Sequence, residues 1–256
     1  MGSSNDSPRP RLYVFAISHY CEKARWALDY LGIDYELCCI APGVHMSLSR
    51  KFGLPATSLP ILVDGDDVVQ VSADIIFWAE EHSTNNRSLT PDRTLAECRE
   101  IEKRLDNVAG VHTRRYFYSE TLMDYPQKVK PAFLNGINAG QRALLHVAWP
   151  LIRRKMIKAM DIGKAQGQES RGIVDAELSW LDTLLSDGRP YLCDGRFSRA
   201  DVTAASLFAR LAGAAEHPYA STMFMPPGIA ADQAEWMERP SLVWIRDIYK
   251  RHRRQG

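Results

Sequence analysis

The chain has 256 residues, with Lys+Arg 32 against Asp+Glu 31 and a net charge of +1. Hydrophobic residues at 45% and charged ones at 25% are the balance of a folded chain with a sizeable core, not of a disordered one. That charge balance leaves no electrostatic footprint for nucleic acid. The nearest approach to a membrane span, 143–152, is interrupted by His146 and Pro150 and is too short.

Residues 1–10 are polar, lack the apolar stretch of a secretory signal and read as a disordered arm. Residues 12–16, aromatic and apolar, suit a buried strand. After Cys21 the period changes: Ala24, Ala27, Leu28 and Leu31 share a helical face, and Gly32 supplies a stop. Residues 35–40 read as a second strand. Residues 61–63 and 68–71 flank Asp64-Gly65-Asp66-Asp67, a hairpin signal, and Ser72 then caps a helix burying Ile75, Ile76 and Ala79. The order is β-α-β, a connecting stretch, then β-β-α, an α/β domain over 11–82. A polar linker follows over 83–94, and an all-helical domain over 95–256, with helices expected at 95–107, 135–145, 172–185, 201–211 and 241–250. Trp149 and Trp180 read as core. Five cysteines, an odd number without C-x-x-C spacing, make neither a disulfide framework nor a metal site and fit a reducing compartment.

Three segments carry chemistry. Ser18-His19-Tyr20-Cys21 places a hydroxyl and unpaired backbone N–H groups at a helix start, where a thiolate is stabilised; a plain serine cap fits the same pattern. Leu59-Pro60 precedes a strand, either as an ordinary strand start or as a cis-proline that turns the Leu59 backbone toward a peptide-like ligand. Val71-Ser72-Ala73-Asp74 opens a second helix whose N-terminus suits a carboxylate.

In this order and spacing, with Lys23, Arg25, Ile75 and the Ser198-x-x-Asp201 box added, the chain resembles a glutathione S-transferase over nearly its whole length. The resemblance implies a thioredoxin-like N-terminal domain and an all-α C-terminal domain. It makes Ser198–Asp201 a buried capping box, with Phe197 and Val202 at staple positions, and thus a folding element outside the site. Ser18 falls where serine-type members steady the glutathione thiolate. The same place holds the reactive cysteine of glutaredoxins, of cysteine-type transferases and of the membrane-associated prostaglandin E synthase type 2, and Cys21 matches the second cysteine of their C-P-[FY]-C motif. The catalytic candidates are therefore Ser18, Tyr20 and Cys21, although Cys21 also reads as a structural thiol. The binding candidates are His19, Leu59, Pro60, Val71 and Ser72, with Arg114, Arg115 and Tyr116 from the helical domain. Arg114 or Arg115 would meet glutathione carboxylates or an acidic co-substrate. The chain departs from the pattern at Val71, where many members carry Glu or Gln ahead of the serine; either that contact is missing or Gln70 replaces it. Asp74 keeps its place at the helix start. The basic run Arg153-Arg154-Lys155 with Lys158 reads as a solvated helix side or as a contact for an anionic surface.

Two functions follow. The first is a cytoplasmic, homodimeric detoxification enzyme that uses glutathione as co-substrate, needs no metal and adds the thiolate to a hydrophobic electrophile, or runs a glutathione-dependent lyase or isomerase reaction. The second is a non-catalytic transferase-like binding or assembly module. Phe52 and Trp78 are candidates for the dimer contact.

Overall fold

Residues 8–253 are described by the structure, a computed structural model. The apolar alternation of the first strand, β1 (Arg11–Val14), buries Leu12 and Val14 completely and leaves Arg11 outside. β1 pairs in parallel with β2 (Glu36–Cys39) and antiparallel with β3 (Ile61–Asp64), which turns through Gly65-Asp66 into β4 (Asp67–Gln70). The sheet order is β2-β1-β3-β4, the mixed four-stranded arrangement of a thioredoxin-like domain. The expected arm lies outside the described residues as far as position 7, but Pro10 is held, its carbonyl accepting from the Glu36 N–H at 2.8 Å.

Between strands run α1 (His19–Tyr30), α2 (Val44–Lys51) and, after β4, α3 (Ser72–His82). The connecting stretch thus contains a helix, whose weak pattern buries only Ser49. Ser72 is the first residue of α3 and not its cap. The cap position is Val71, at φ 77°, and no side chain bonds the helix start there. A β-branched residue in that region is strained.

The rest is helical. α4 (Leu95–Arg104) passes through one widened turn, Leu105–Ala109, into α5 (Gly110–Thr121). After the short α6 (Pro126–Val129) come two 21-residue helices, α7 (Ala139–Ala159) and α8 (Lys164–Leu184). Expected over 135–145, α7 starts instead with Asn138, whose side chain accepts from the Gln141 N–H, and continues through Pro150. α9 (Arg199–Ala212) is buried along almost its entire length, and α10 (Pro227–Trp236) and α11 (Pro240–His252) complete the chain. The Ser198 box is present: one Asp201 carboxylate oxygen accepts from the Ser198 N–H at 2.7 Å and its hydroxyl at 2.6 Å, the other from the Leu192 N–H at 2.8 Å. Phe197 beside it stacks on His252, with ring centroids 4.0 Å apart.

The N-terminal domain meets the helices through α1, which packs on both α3 and α9. Lys23 of α1, fully buried, sits 2.8 Å from Glu102 and 2.7 Å from Asp106. Arg199 closes the network, its Nε 2.6 Å from Glu102 and another nitrogen donating to the Ala73 carbonyl of α3 at 2.9 Å. Arg253, at the end of α11, pairs with Glu22 and Asp29 of α1 at 2.7 and 2.6 Å. Among the described residues, no helix is long and apolar enough to cross a membrane.

Candidate active site

β1 ends at Val14, and the chain turns so that the Ser18 N–H donates to the Phe15 carbonyl at 3.0 Å. Ser18 is the N-cap of α1, its Oγ accepting from the Cys21 N–H at 3.4 Å. Capping and ligand contact are compatible here. A hydroxyl has one donor and two lone pairs, so accepting from Cys21 orients the oxygen and leaves its O–H to donate elsewhere. Ser18 opens onto a cavity of about 920 Å³ between the N-terminal domain and the helices.

Ser18, His19, Tyr20, Leu59, Arg114 and Tyr116 all line that cavity, drawn from the α1 turn, the loop before β3 and α5. The Leu59-Pro60 peptide is cis. Pro60 is buried behind Leu59 and is not part of the lining.

Several expected site residues sit elsewhere or are already engaged. Cys21, one turn into α1, faces the core at 1% exposure, and burial pushes its thiol up to about 12. Tyr20 lines the cavity, but its hydroxyl donates to the Asp106 carbonyl at 2.6 Å across the domain junction, and burial drives its pKa up. The contact is so close that a Cβ at Gly110 would overlap the Tyr20 hydroxyl, which accounts for a glycine at the start of α5. Tyr116 donates to Asp232, which also takes two bonds from Arg171 at 2.7 Å. Arg115 turns away from the cavity to bond Ser170 at 2.7 Å and Glu169 at 2.5 Å on α8. Successive helical residues diverge by about 100°, so Arg114 and Arg115 face different neighbours. Val71 and Ser72 lie outside the cavity lining, Val71 exposed and Ser72 buried. Gln70 donates its side-chain amide N–H groups to the Ala56 and Ser58 carbonyls at 3.0 and 2.8 Å and so holds the loop before Leu59.

The cavity also contains residues absent from the sequence-derived set. Arg210, at the end of α9, donates to the Ile17 carbonyl at 2.6 Å, immediately behind Ser18, with its guanidinium 4.2 Å above the Phe117 ring. Burial holds its pKa down to about 10. His217 is held at about 3 by burial and by Arg210, and its Nδ1 accepts from the Tyr219 N–H at 3.2 Å. His19 is pushed well below its usual value by burial, then by Arg114 and Arg210, and its Nε2 is buried without a partner. Lys155 and Lys158 stand at the rim, while Arg153 of the same run bonds the Leu122 carbonyl at 2.5 Å. The basic run therefore borders the cavity and is not wholly a solvated side. A single charged residue in the otherwise uncharged 202–211 run was the sequence signal for Arg210.

A small mixed-sheet domain with a serine-capped helix facing a helical domain defines a glutathione S-transferase fold. The comparisons agree. The family model "Glutathione S-transferase, N-terminal domain" matches residues 12–87. Glutathione S-transferase 1 of Dianthus caryophyllus is 32% identical over 92 residues, 35% of this chain and 42% of that protein, so the match spans less than half of the relative. Among solved structures, the beta-etherase LigF from Sphingobium sp. strain SYK-6 superposes with a TM-score of 0.63 at 20% identity, covering 93% of both chains. The glutathione S-transferase CsGST63524 of Ceriporiopsis subvermispora, solved in complex with glutathione, gives 0.64 at 13% identity over 97% of this chain and 99% of its own. GSTFuA3 from Phanerochaete chrysosporium gives 0.67 at 12% identity over 98% and 100%. Residues 12–87 thus match that family's N-terminal domain model, and the chain as a whole shares the fold of these solved structures.

Proposed function

We propose that the chain is a glutathione-dependent transferase acting on an electrophile bound between the domains. The observation that carries this reading is the Ser18 hydroxyl, whose oxygen is fixed by its cap bond at the α1 N-terminus in the lining of the cavity. Glutathione's thiol loses its proton to solvent. The Ser18 O–H then donates to the sulfur, and the helix start favours the negative charge. The thiolate forms a C–S bond to the electrophilic carbon while the leaving group departs with its electron pair. Ser18 thus stabilises the nucleophile and is not itself the nucleophile. With Cys21 buried and the half-buried Ser18 in the cavity lining, the site favours conjugation over disulfide exchange.

The test is glutathione turnover of an activated aryl halide by the unaltered protein and by Ser18→Ala, with thiolate absorbance recorded for the bound glutathione. Turnover that depends on Ser18 supports the reading; unchanged turnover and absorbance overturn it. Retention on immobilised glutathione without turnover across varied electrophiles favours the binding module, a reading to which Val71 lends weight because it offers glutathione's amino group no side-chain acceptor. The proposal extends to a cytoplasmic homodimer with a detoxifying role. Phe77 of α3, 46% exposed, leaves apolar surface for such a contact, whereas Trp78 is core, stacked on His82. Light scattering that returns a mass near 28.9 kDa at low micromolar concentration overturns the dimer.

A further inference from the structure

The cavity beside Ser18 has a one-sided charge: Arg114, Arg210, Lys155 and Lys158 line it, and among the described residues no Asp or Glu does. Elsewhere in the molecule buried arginines have carboxylates. Arg199 is paired with Glu102 and Arg253 with Glu22. Arg114 has no carboxylate within ion-pair reach among the described residues, and its buried Nε has no partner. Among the described residues, the Arg210 guanidinium has the Ile17 carbonyl and the Phe117 face as its partners. A cation kept in an apolar wall without a counter-charge is costly, and an anionic ligand removes that cost.

Resting on the reading of this cavity as the co-substrate site, we propose that the co-substrate is an apolar organic anion, an aromatic carboxylate or sulfonate, whose charged end is held by Arg114 and Arg210. Its body lies against Phe117, Phe133 and Met156, which line the same space. The planar forks of the two arginines match a carboxylate or sulfonate bidentately, a fit the rim lysines do not offer. Burial already draws the Arg210 pKa down to about 10, and a bound anion raises it again. Glutathione also carries carboxylates, but the wall around these arginines is built of aromatic and thioether side chains suited to an apolar body.

The test compares matched ligands on the full chain. 8-Anilinonaphthalene-1-sulfonate and neutral N-phenyl-1-naphthylamine share one body and differ by the anion, so their fluorescence titrations read the charge preference without any turnover. The expected result is at least about tenfold tighter binding of the sulfonate, mostly lost in Arg114→Gln and Arg210→Gln and partly restored in Arg210→Lys. Because Arg210→Gln also breaks the Ile17 contact, Arg114→Gln decides the matter if the former does not fold. Equal affinity for the two probes, or a preference that survives Arg114→Gln, overturns the proposal. Competitive displacement of the sulfonate by glutathione also overturns it, by assigning the arginines to glutathione. In turnover, 4-chloro-3,5-dinitrobenzoate should exceed its amide in kcat/KM, with the ratio falling in the same variants. Anion preference without turnover of either compound defeats the transferase reading alone; turnover without anion preference defeats this inference alone.

Discussion

Two sets of cations lie along the contact between the N-terminal domain and the helices, and the chain treats them in opposite ways. Lys23 and Arg199 share Glu102, with Asp106 as a further partner. Burial alone would raise the Glu102 carboxyl, but the two adjacent cations outweigh it and hold the pKa below the usual carboxylate range. Among the described residues, Arg114 and Arg210, in the cavity wall, have no carboxylate partner. The first set joins two domains and is closed to ligands. The second leaves positive charge uncompensated in a space open to them. Buried charge is tolerated at the junction because it is paired, and in the cavity because a ligand can supply the missing partner.

The largest effect should come from breaking the paired set. Glu102→Gln strands Arg199 and weakens the hold on Lys23, so unfolding by urea should lose about 3–5 kcal/mol. Arg114→Gln should cost less than about 1 kcal/mol in the same measurement, because no partner is left exposed or unpaired. Equal losses from the two variants would break the comparison and make the cavity cations structural.

Ser18→Ala should lower turnover of an aryl halide by about 10²–10³, equivalent to loss of one donor to a developing anion, with the bound thiol's pKa rising. The N-cap is lost as well, which should cost stability about 1 kcal/mol. A rate loss no larger than that stability loss would reduce Ser18 to a cap.

His217 sharpens the comparison through pH. Its folded pKa of about 3 lies below the ordinary 6.5, so between those values the unfolded chain binds a proton that the folded chain refuses. Stability should therefore fall as pH drops through that window, by up to about 1.4 kcal/mol per pH unit. His217→Asn keeps an acceptor for the Tyr219 N–H but does not titrate, and its Tm should decline less steeply with acid. An identical slope would place the acid sensitivity in other groups. The smallest effect belongs to Cys21→Ser, which should keep kcat/KM within about twofold, since the thiol faces the core and is pushed up to about 12. Loss of activity with the fold intact, checked by circular dichroism, would make Cys21 catalytic after all.

Local patterns made much of the architecture readable. The strand at Leu12–Val14, the hairpin through Gly65 and the helix burying Ile75, Ile76 and Ala79 follow from period and turn chemistry, while the Ser198–Asp201 box was implied by the family resemblance. What escaped had weak or misleading local signals. α2 has one buried residue, α7 runs on through Pro150 with Leu145 and Trp149 as its buried residues, and α10 joins a loop-like stretch after Met225.

The site divides along the same line. Ser18 at a helix start and Leu59 before a strand are local facts, set by the order of a turn, a cap and a proline along the chain. Which of Arg114 and Arg115 reaches the cavity was decided by α8, whose Glu169 and Ser170 take Arg115. The withdrawal of the Tyr20 hydroxyl was decided by Asp106, 86 residues away, and the placing of Arg210 behind Ser18 by packing across 193 residues of chain. A sequence records which groups can form a cap, an ion pair or a hydrogen bond. Only the folded chain decides which partners come within the roughly 3 Å at which those interactions act, and so which cations are left for a ligand.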